Sequence, residues 1–177
     1  PTESALIKRE YGAKAKTKEV YFGHELPGAA DPSLFMSAYG VRDFILCVGR
    51  IESRKNQLML LKALENVEIP IVFAAGAFTY QPDYDDAVRS FKRKAPTVFL
   101  GQLAPEMLAS AYASAKIHVL PSWYELPGLV SLEAAHYGKN VVISCNGTGR
   151  DYFGPSAFYC EPSDEESIRN AVLAAYY

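Results

Sequence analysis

No stretch of this 177-residue chain is a continuous apolar run long enough to cross a bilayer, which takes about 18 residues. A surplus of charge is also missing: 18 Lys and Arg stand against 20 Asp and Glu, a formal net charge of −2. A general nucleic-acid binder normally carries a strong basic excess, so that class is excluded and no nucleic-acid partner is expected. Cysteine is scarce, and Cys47, Cys145 and Cys160 lie in apolar runs without CxxC spacing. An odd number of buried thiols points to a reducing compartment. The GxGxxG of dinucleotide-binding turns is absent, and so is the second glycine that a P-loop places before its lysine. No signal-peptide pattern, internal repeat or low-complexity segment is present. Asn146-Gly147-Thr148 has the form of a glycosylation sequon, but nothing else looks secreted and it is not expected to be used. The chain starts at Pro1 rather than Met, so it is expected to be a piece of something longer.

What is present is an ordinary globular composition, 49% hydrophobic and 21% charged, which excludes a disordered chain. A body of this size buries about 70% of its unfolded surface and holds a core without staples. Residues 1–40 read as an irregular interdomain linker. Lys8, Arg9, Lys14, Lys16 and Lys18 make them mildly basic, diluted by Glu3, Glu10 and Glu19. A solvated face accounts for that stretch better than a membrane-surface patch. Gly23 to Pro32 reads as a connecting loop that includes His24.

Residues 41–177 have a regular rhythm. Apolar runs of strand length at 44–49, 69–74, 97–101, 117–120, 141–144 and 157–160 alternate with helical segments at 56–64, 82–95, 105–115, 128–137 and 164–177. Short connections between alternating strands and helices predict a Rossmann-like α/β domain, a parallel sheet with helices on both faces. In such sheets ligands bind beyond the carboxyl ends of the strands, so chemistry is sought just after each strand.

After the first strand comes Gly49-Arg50-Ile51-Glu52-Ser53-Arg54-Lys55-Asn56. Three cations and a glycine at a strand-to-helix turn suit an anion, and helix amides add to the attraction. After the fourth comes Pro121-Ser122-Trp123-Tyr124-Glu125-Leu126-Pro127-Gly128, and the following helix carries Glu133 among Leu129, Val130, Leu132, Ala134 and Ala135. An unpaired carboxylate in such surroundings is costly, so Glu133 is expected to look into a polar pocket. Gly128 leaves the helix amides open to a phosphate. Glu133, five residues on and roughly 7.5 Å along the axis, suits contact with a ribose.

Gly49-Arg50, Lys55-Asn56, Phe99-Leu100-Gly101, the Leu120-Pro121-Ser122 turn, and Glu125 with Glu133 in Ser-x-x-Glu-x-x-Gly-x-x-x-x-Glu-Ala resemble glycosyltransferase family 4 over roughly residues 25–177. The resemblance is to the C-terminal, donor-binding half of the GT-B fold in retaining, sugar-nucleotide-dependent enzymes. It implies that Arg50 and Lys55 neutralise the donor diphosphate, with Gly49 opening their turn. It implies that Glu125 touches the transferred sugar and Glu133 accepts the ribose hydroxyls. Gly128, Leu129 and Val130 correspond to amides facing the distal phosphate, and Gln102 and Leu103 to the backbone seat of the base. The implied reaction moves a sugar from a nucleoside diphosphate onto an acceptor with retention, in polysaccharide, lipopolysaccharide or glycolipid synthesis. The implied setting is cytoplasmic, with peripheral contact at the inner membrane face open to the full-length protein.

Two departures stand out. Gly28-Ala29 precede Ala30-Asp31 where the family often has Asn-Gly before an Asp, and Leu126-Pro127 follow Glu125 where Ser-Phe is commoner. The acceptor-binding N-terminal half is absent from this chain, so the isolated chain is expected to be inactive. The rival readings are a non-catalytic sugar-nucleotide-binding module and a sugar-nucleotide epimerase of related fold. No metal or other cofactor is expected. Asp83-Tyr84-Asp85 opens a predicted helix and reads as capping, and no three metal-type ligands share a suitable spacing. His118, within a buried strand, is expected to be packed rather than catalytic.

Overall fold

Strands covered on both faces need apolar side chains at every position, and five of the six apolar runs become strands with at least four buried or half-buried residues in succession. The computed structural model describes residues 2–12, 14, 16–21, 28–76 and 79–177. Its strands are β1 (Ile45–Val48), β2 (Ile71–Ala74), β3 (Thr97–Leu100), β4 (Ile117–Leu120), β5 (Asn140–Ser144) and β6 (Phe158–Cys160). The helices are α1 (Thr2–Tyr11), α2 (Pro32–Tyr39), α3 (Gln57–Ala63), α4 (Pro82–Ser90), α5 (Pro105–Ser114), α6 (Leu129–His136), α7 (Gly149–Phe153) and α8 (Glu165–Tyr176). All neighbouring strands are parallel, in the order β3-β2-β1-β4-β5-β6. This is the doubly wound order, whose direction of winding reverses between β1 and β4.

Side chains along each strand alternate between two cores. Ile45 and Cys47 of β1 join Leu60, Leu61, Ile168 and Val172 under α3 and α8. Leu46 and Val48 join Phe35, Tyr112 and Ala134 under α2, α5 and α6. Fully burying a Leu, Ile or Phe contributes about 1.5–3 kcal/mol, so these two layers carry the fold. The shortest seam lies at the centre of the sheet. β1 pairs β2 over four residues but β4 over only two, Ile45 with Ile117 and Leu46 with His118. Beyond that point no further ladder pair joins the two strands, and their carboxyl ends lie where the winding reverses, the place at which sheets of this kind form a ligand crevice.

Three expectations need correction. Residues 1–40 are not irregular throughout, since α1 and α2 lie within them. Asp31 caps α2 by accepting from the Ser33 amide at 2.8 Å, Pro32 occupies its first turn, and Gly40 ends it at φ 66°. That Asp-Pro start was legible and is a recognised signal. Phe35 is 0% exposed, so α2 belongs to the body of the domain. The helix expected at 82–95 stops at Ser90 because Arg93 is needed elsewhere. Its guanidinium donates to the carbonyls of Leu64, Val67 and Ile69 beyond the end of α3. Third, Cys145 is half-buried rather than buried; all three cysteines are free. α7, five residues long, had no periodic signal to betray it. His24 and the rest of residues 23–27, half of the Gly23–Pro32 loop, fall outside the described residues. Among the described residues no helix is long and apolar enough to cross a membrane.

Candidate active site

The loop after β1 is held in shape from within. Gly49 takes φ 136°, and its amide still donates to Ala74 across the sheet at 3.0 Å. A single 3-10 turn, Ser53–Lys55, leads to Asn56 in the left-handed region at φ 61°. Asparagine tolerates that conformation better than most residues. Its buried side-chain amide donates to the carbonyls of Pro121 at 3.1 Å and Pro162 at 2.8 Å, tying this loop to those after β4 and β6. Gln57, also buried, donates to the Arg50 carbonyl at 2.7 Å.

The loop after β4 meets it across the crevice. The Trp123 amide donates to the Arg54 carbonyl at 2.9 Å, and Arg54 Nη1 donates to the Tyr124 carbonyl at 3.1 Å. Lys55 Nζ lies 2.5 Å from Glu125 Oε1, and Arg54 Nη1 lies 3.1 Å from the same oxygen. The Lys55 and Glu125 side chains are 13% and 16% exposed, so solvent screens this pair less than a surface bridge. The Lys55 charge is felt by the groups around it. Burial first, then that charge, brings His118 down to about 3; burial raises Cys47 to about 12 against the pull of Lys55. His118 is therefore neutral at physiological pH, and its Nε2 sits 3.2 Å from Ser131 Oγ inside the core.

A third loop clamps the backbone of Glu125. Its carbonyl accepts from the Thr148 amide at 3.1 Å, and Gly147, at φ 91°, packs directly against it. A Cβ on Gly147 would overlap the Glu125 carbonyl oxygen and press its amide nitrogen at 2.9 Å. Gly147→Ala is expected to cost about 2 kcal/mol of stability, through the left-handed conformation and the clash together. Thermal unfolding would register it; an unshifted midpoint would show that the clamp yields freely.

Gly128, at φ 75°, precedes α6, whose first residues Leu129 and Val130 are exposed and half-buried. On α6, Glu133 Oε2 accepts from the Tyr112 hydroxyl of α5 at 2.7 Å. Arg50 lies elsewhere in the loop: its guanidinium is 3.4 Å from Glu52, 5.9 Å above the Tyr80 ring, and its side chain is 54% exposed. Gln102 is exposed and Leu103 half-buried, after β3, which β2 and β1 separate from the β4 strand that leads to Glu125. The structure thus brings together Lys55, Glu125 and Gly128, and adds Arg54, which sequence reasoning noted as a cation but did not select. Beside the Glu125 loop, Leu126, Pro127, Thr148 and Tyr152 face Ile7 and Val20 across a cleft of about 470 Å³.

Two cations converging on a carboxylate beside a glycine-opened helix, at the switch point of a parallel sheet, make a seat for an anionic group. The sequence profile described as "Glycosyl transferases group 1" matches residues 37–176. The chain belongs to that family. A sulfoquinovosyl transferase of Arabidopsis thaliana is 32% identical over 130 residues, 71% of this chain and 25% of that protein. The O-antigen chain mannosyltransferase B of Escherichia coli is 29% identical over 140 residues, 73% of this chain and 36% of that protein. Sucrose-phosphate synthase of Thermosynechococcus elongatus superposes with a TM-score of 0.70 at 22% identity, over 98% of this chain and 47% of that one. A trehalose-phosphate synthase of Burkholderia xenovorans gives 0.67 at 14% identity, over 82% and 38%. The fold is therefore the Rossmann-like half of the GT-B glycosyltransferase architecture, and the chain spans 25% and 36% of the length of these two curated relatives.

Proposed function

We propose that this chain holds the donor of a retaining glycosyltransferase, a nucleoside diphosphate sugar lying in the crevice between β1 and β4. The observation that carries the reading is the convergence of Lys55 and Arg54 on Glu125 beside the start of α6. In this reading Lys55, with Arg54 and Arg50 nearby, and the amides of Gly128, Leu129 and Val130 receive the diphosphate. Glu133 accepts from the ribose hydroxyls, Glu125 meets the transferred sugar, and the backbone at Gln102 and Leu103 seats the base. Charge building on the leaving diphosphate is stabilised by groups already in place, without reorganisation. Side chains do the neutralising, and no metal ion takes part. The acceptor is held by a separate half. The mannosyltransferase among the relatives supports an assignment to polysaccharide or lipopolysaccharide synthesis, and the sulfoquinovosyl transferase supports sugar transfer more widely.

Calorimetric titration with uridine, guanosine and adenosine diphosphates tests this. One of the three is expected to bind, and Glu133→Ala is expected to weaken it tenfold or more, about 1.4 kcal/mol per decade. Inorganic diphosphate, having no ribose, is expected to bind that variant as it binds the wild type. Absence of binding by all three nucleotides would remove the reading. Equal weakening of nucleotide and diphosphate would trace the effect to α6 itself rather than to a ribose contact.

A further inference from the structure

Tyr112 sits on α5, outside every motif the sequence singled out, and is 2% exposed. Its ring stacks on Tyr137 with centroids 6.0 Å apart and planes 12° from parallel, and the His118 ring lies 6.1 Å away. A ring gripped in this way carries its hydroxyl to a fixed point, because close-packed neighbours leave it little room to turn. That point is 2.7 Å from Glu133 Oε2. Burial, reinforced by the Glu133 charge, holds the Tyr112 phenol far above the ordinary tyrosine range. The hydroxyl therefore remains a donor at any physiological pH and the carboxylate oxygen remains its acceptor.

A glutamate side chain has three rotatable bonds, and a hydrogen bond to one carboxylate oxygen restricts the orientation of the group. A diol is recognised by both carboxylate oxygens together, so the plane of the group matters as much as its position. We propose that Tyr112 is a positioning residue for the donor ribose: its hydroxyl fixes the plane of the Glu133 carboxylate, while the stack on Tyr137 fixes the hydroxyl. The inference rests on the reading that Glu133 contacts the ribose. Tyr112 itself touches no ligand. A purely structural role would leave the phenol satisfied by whichever acceptor lay nearest, with no consequence for nucleotide binding.

Tyr112→Phe keeps the ring and its stack and deletes the one donor. With the best-binding of uridine, guanosine and adenosine diphosphates, this variant is expected to lose about fivefold in affinity. Its affinity for inorganic diphosphate should stay at the wild-type value. Added to Glu133→Ala, Tyr112→Phe should change nothing further, since its effect passes through that carboxylate. Tyr137→Leu removes the stacked ring and leaves the Tyr112 hydroxyl; it is expected to weaken the nucleotide and spare inorganic diphosphate, which keeps the test decisive if removing the hydroxyl disturbs folding. Nucleotide affinity unchanged by Tyr112→Phe, while Glu133→Ala lowers it, overturns the positioning role alone. Losses that are equal for nucleotide and diphosphate, or additive with Glu133→Ala, overturn it as well. A wild-type chain that binds none of the three nucleotides removes both this role and the donor-site reading beneath it.

Discussion

Lys55→Met is expected to weaken nucleoside diphosphate binding about a hundredfold, a larger loss than any other single cation in the crevice should cause. Lys55 Nζ is the more buried of the two cations on Glu125, at 13% side-chain exposure against 48% for Arg54. Where water is partly excluded, a charge-assisted contact to a phosphate keeps more of its strength. Losing the ammonium also leaves Glu125 with Arg54 alone among the observed cation contacts, so an incoming diphosphate meets a carboxylate that is less neutralised. A hundredfold is about 2.7 kcal/mol, the size expected when one partner of a half-buried charge pair is removed. Arg50→Gln should cost threefold at most, because that guanidinium is 54% exposed and already near Glu52. Titrations of both variants at low and high salt check the assignment: wild-type affinity should fall with ionic strength, and Lys55→Met should flatten that slope. A greater loss for Arg50→Gln than for Lys55→Met would move the diphosphate to the outer part of the loop.

The second large effect concerns turnover. The chain by itself is expected to transfer no sugar, and the same residues joined to an acceptor-binding half are expected to do so. Matched relatives extend well beyond it, this chain covering 25% of one and 45% of another. Holding acceptor and donor together contributes about 7–11 kcal/mol to a bimolecular transfer, a factor no donor site supplies alone. The described site offers Lys55, Arg54 and Glu125, all on loops at the carboxyl ends of the two central strands. A transfer assay on both proteins, with labelled donor, separates the cases. Turnover by residues 1–177 alone at rates near those of the joined protein would overturn the division of labour between two halves.

Much of this molecule was legible along the chain. The alternation of strand and helix, the parallel sheet, the loops that carry Lys55, Glu125 and Gly128 and the helix that carries Glu133 follow from local pattern. Strands buried on both faces must be written as unbroken apolar runs, and Gly and Pro mark where they end. The missed elements have local causes too. α2 hid in a stretch read for its charge rather than for its Asp-Pro cap, and α7 is too short to show a period. What the tertiary structure alone decided is which side chains meet. Lys55 and Arg54 reach Glu125 across separations of 70 and 71 residues, and Tyr112 reaches Glu133 across 21. Adjacent cations look alike in sequence; a 3-10 turn and the left-handed Asn56 determine which of Arg50, Arg54 and Lys55 faces the next loop. Gly147 reads as part of a sequon until β5 brings it under the Glu125 carbonyl. Such contacts depend on how crossovers return the chain to the β1–β4 seam, a property of the assembled sheet that no spacing within one segment encodes.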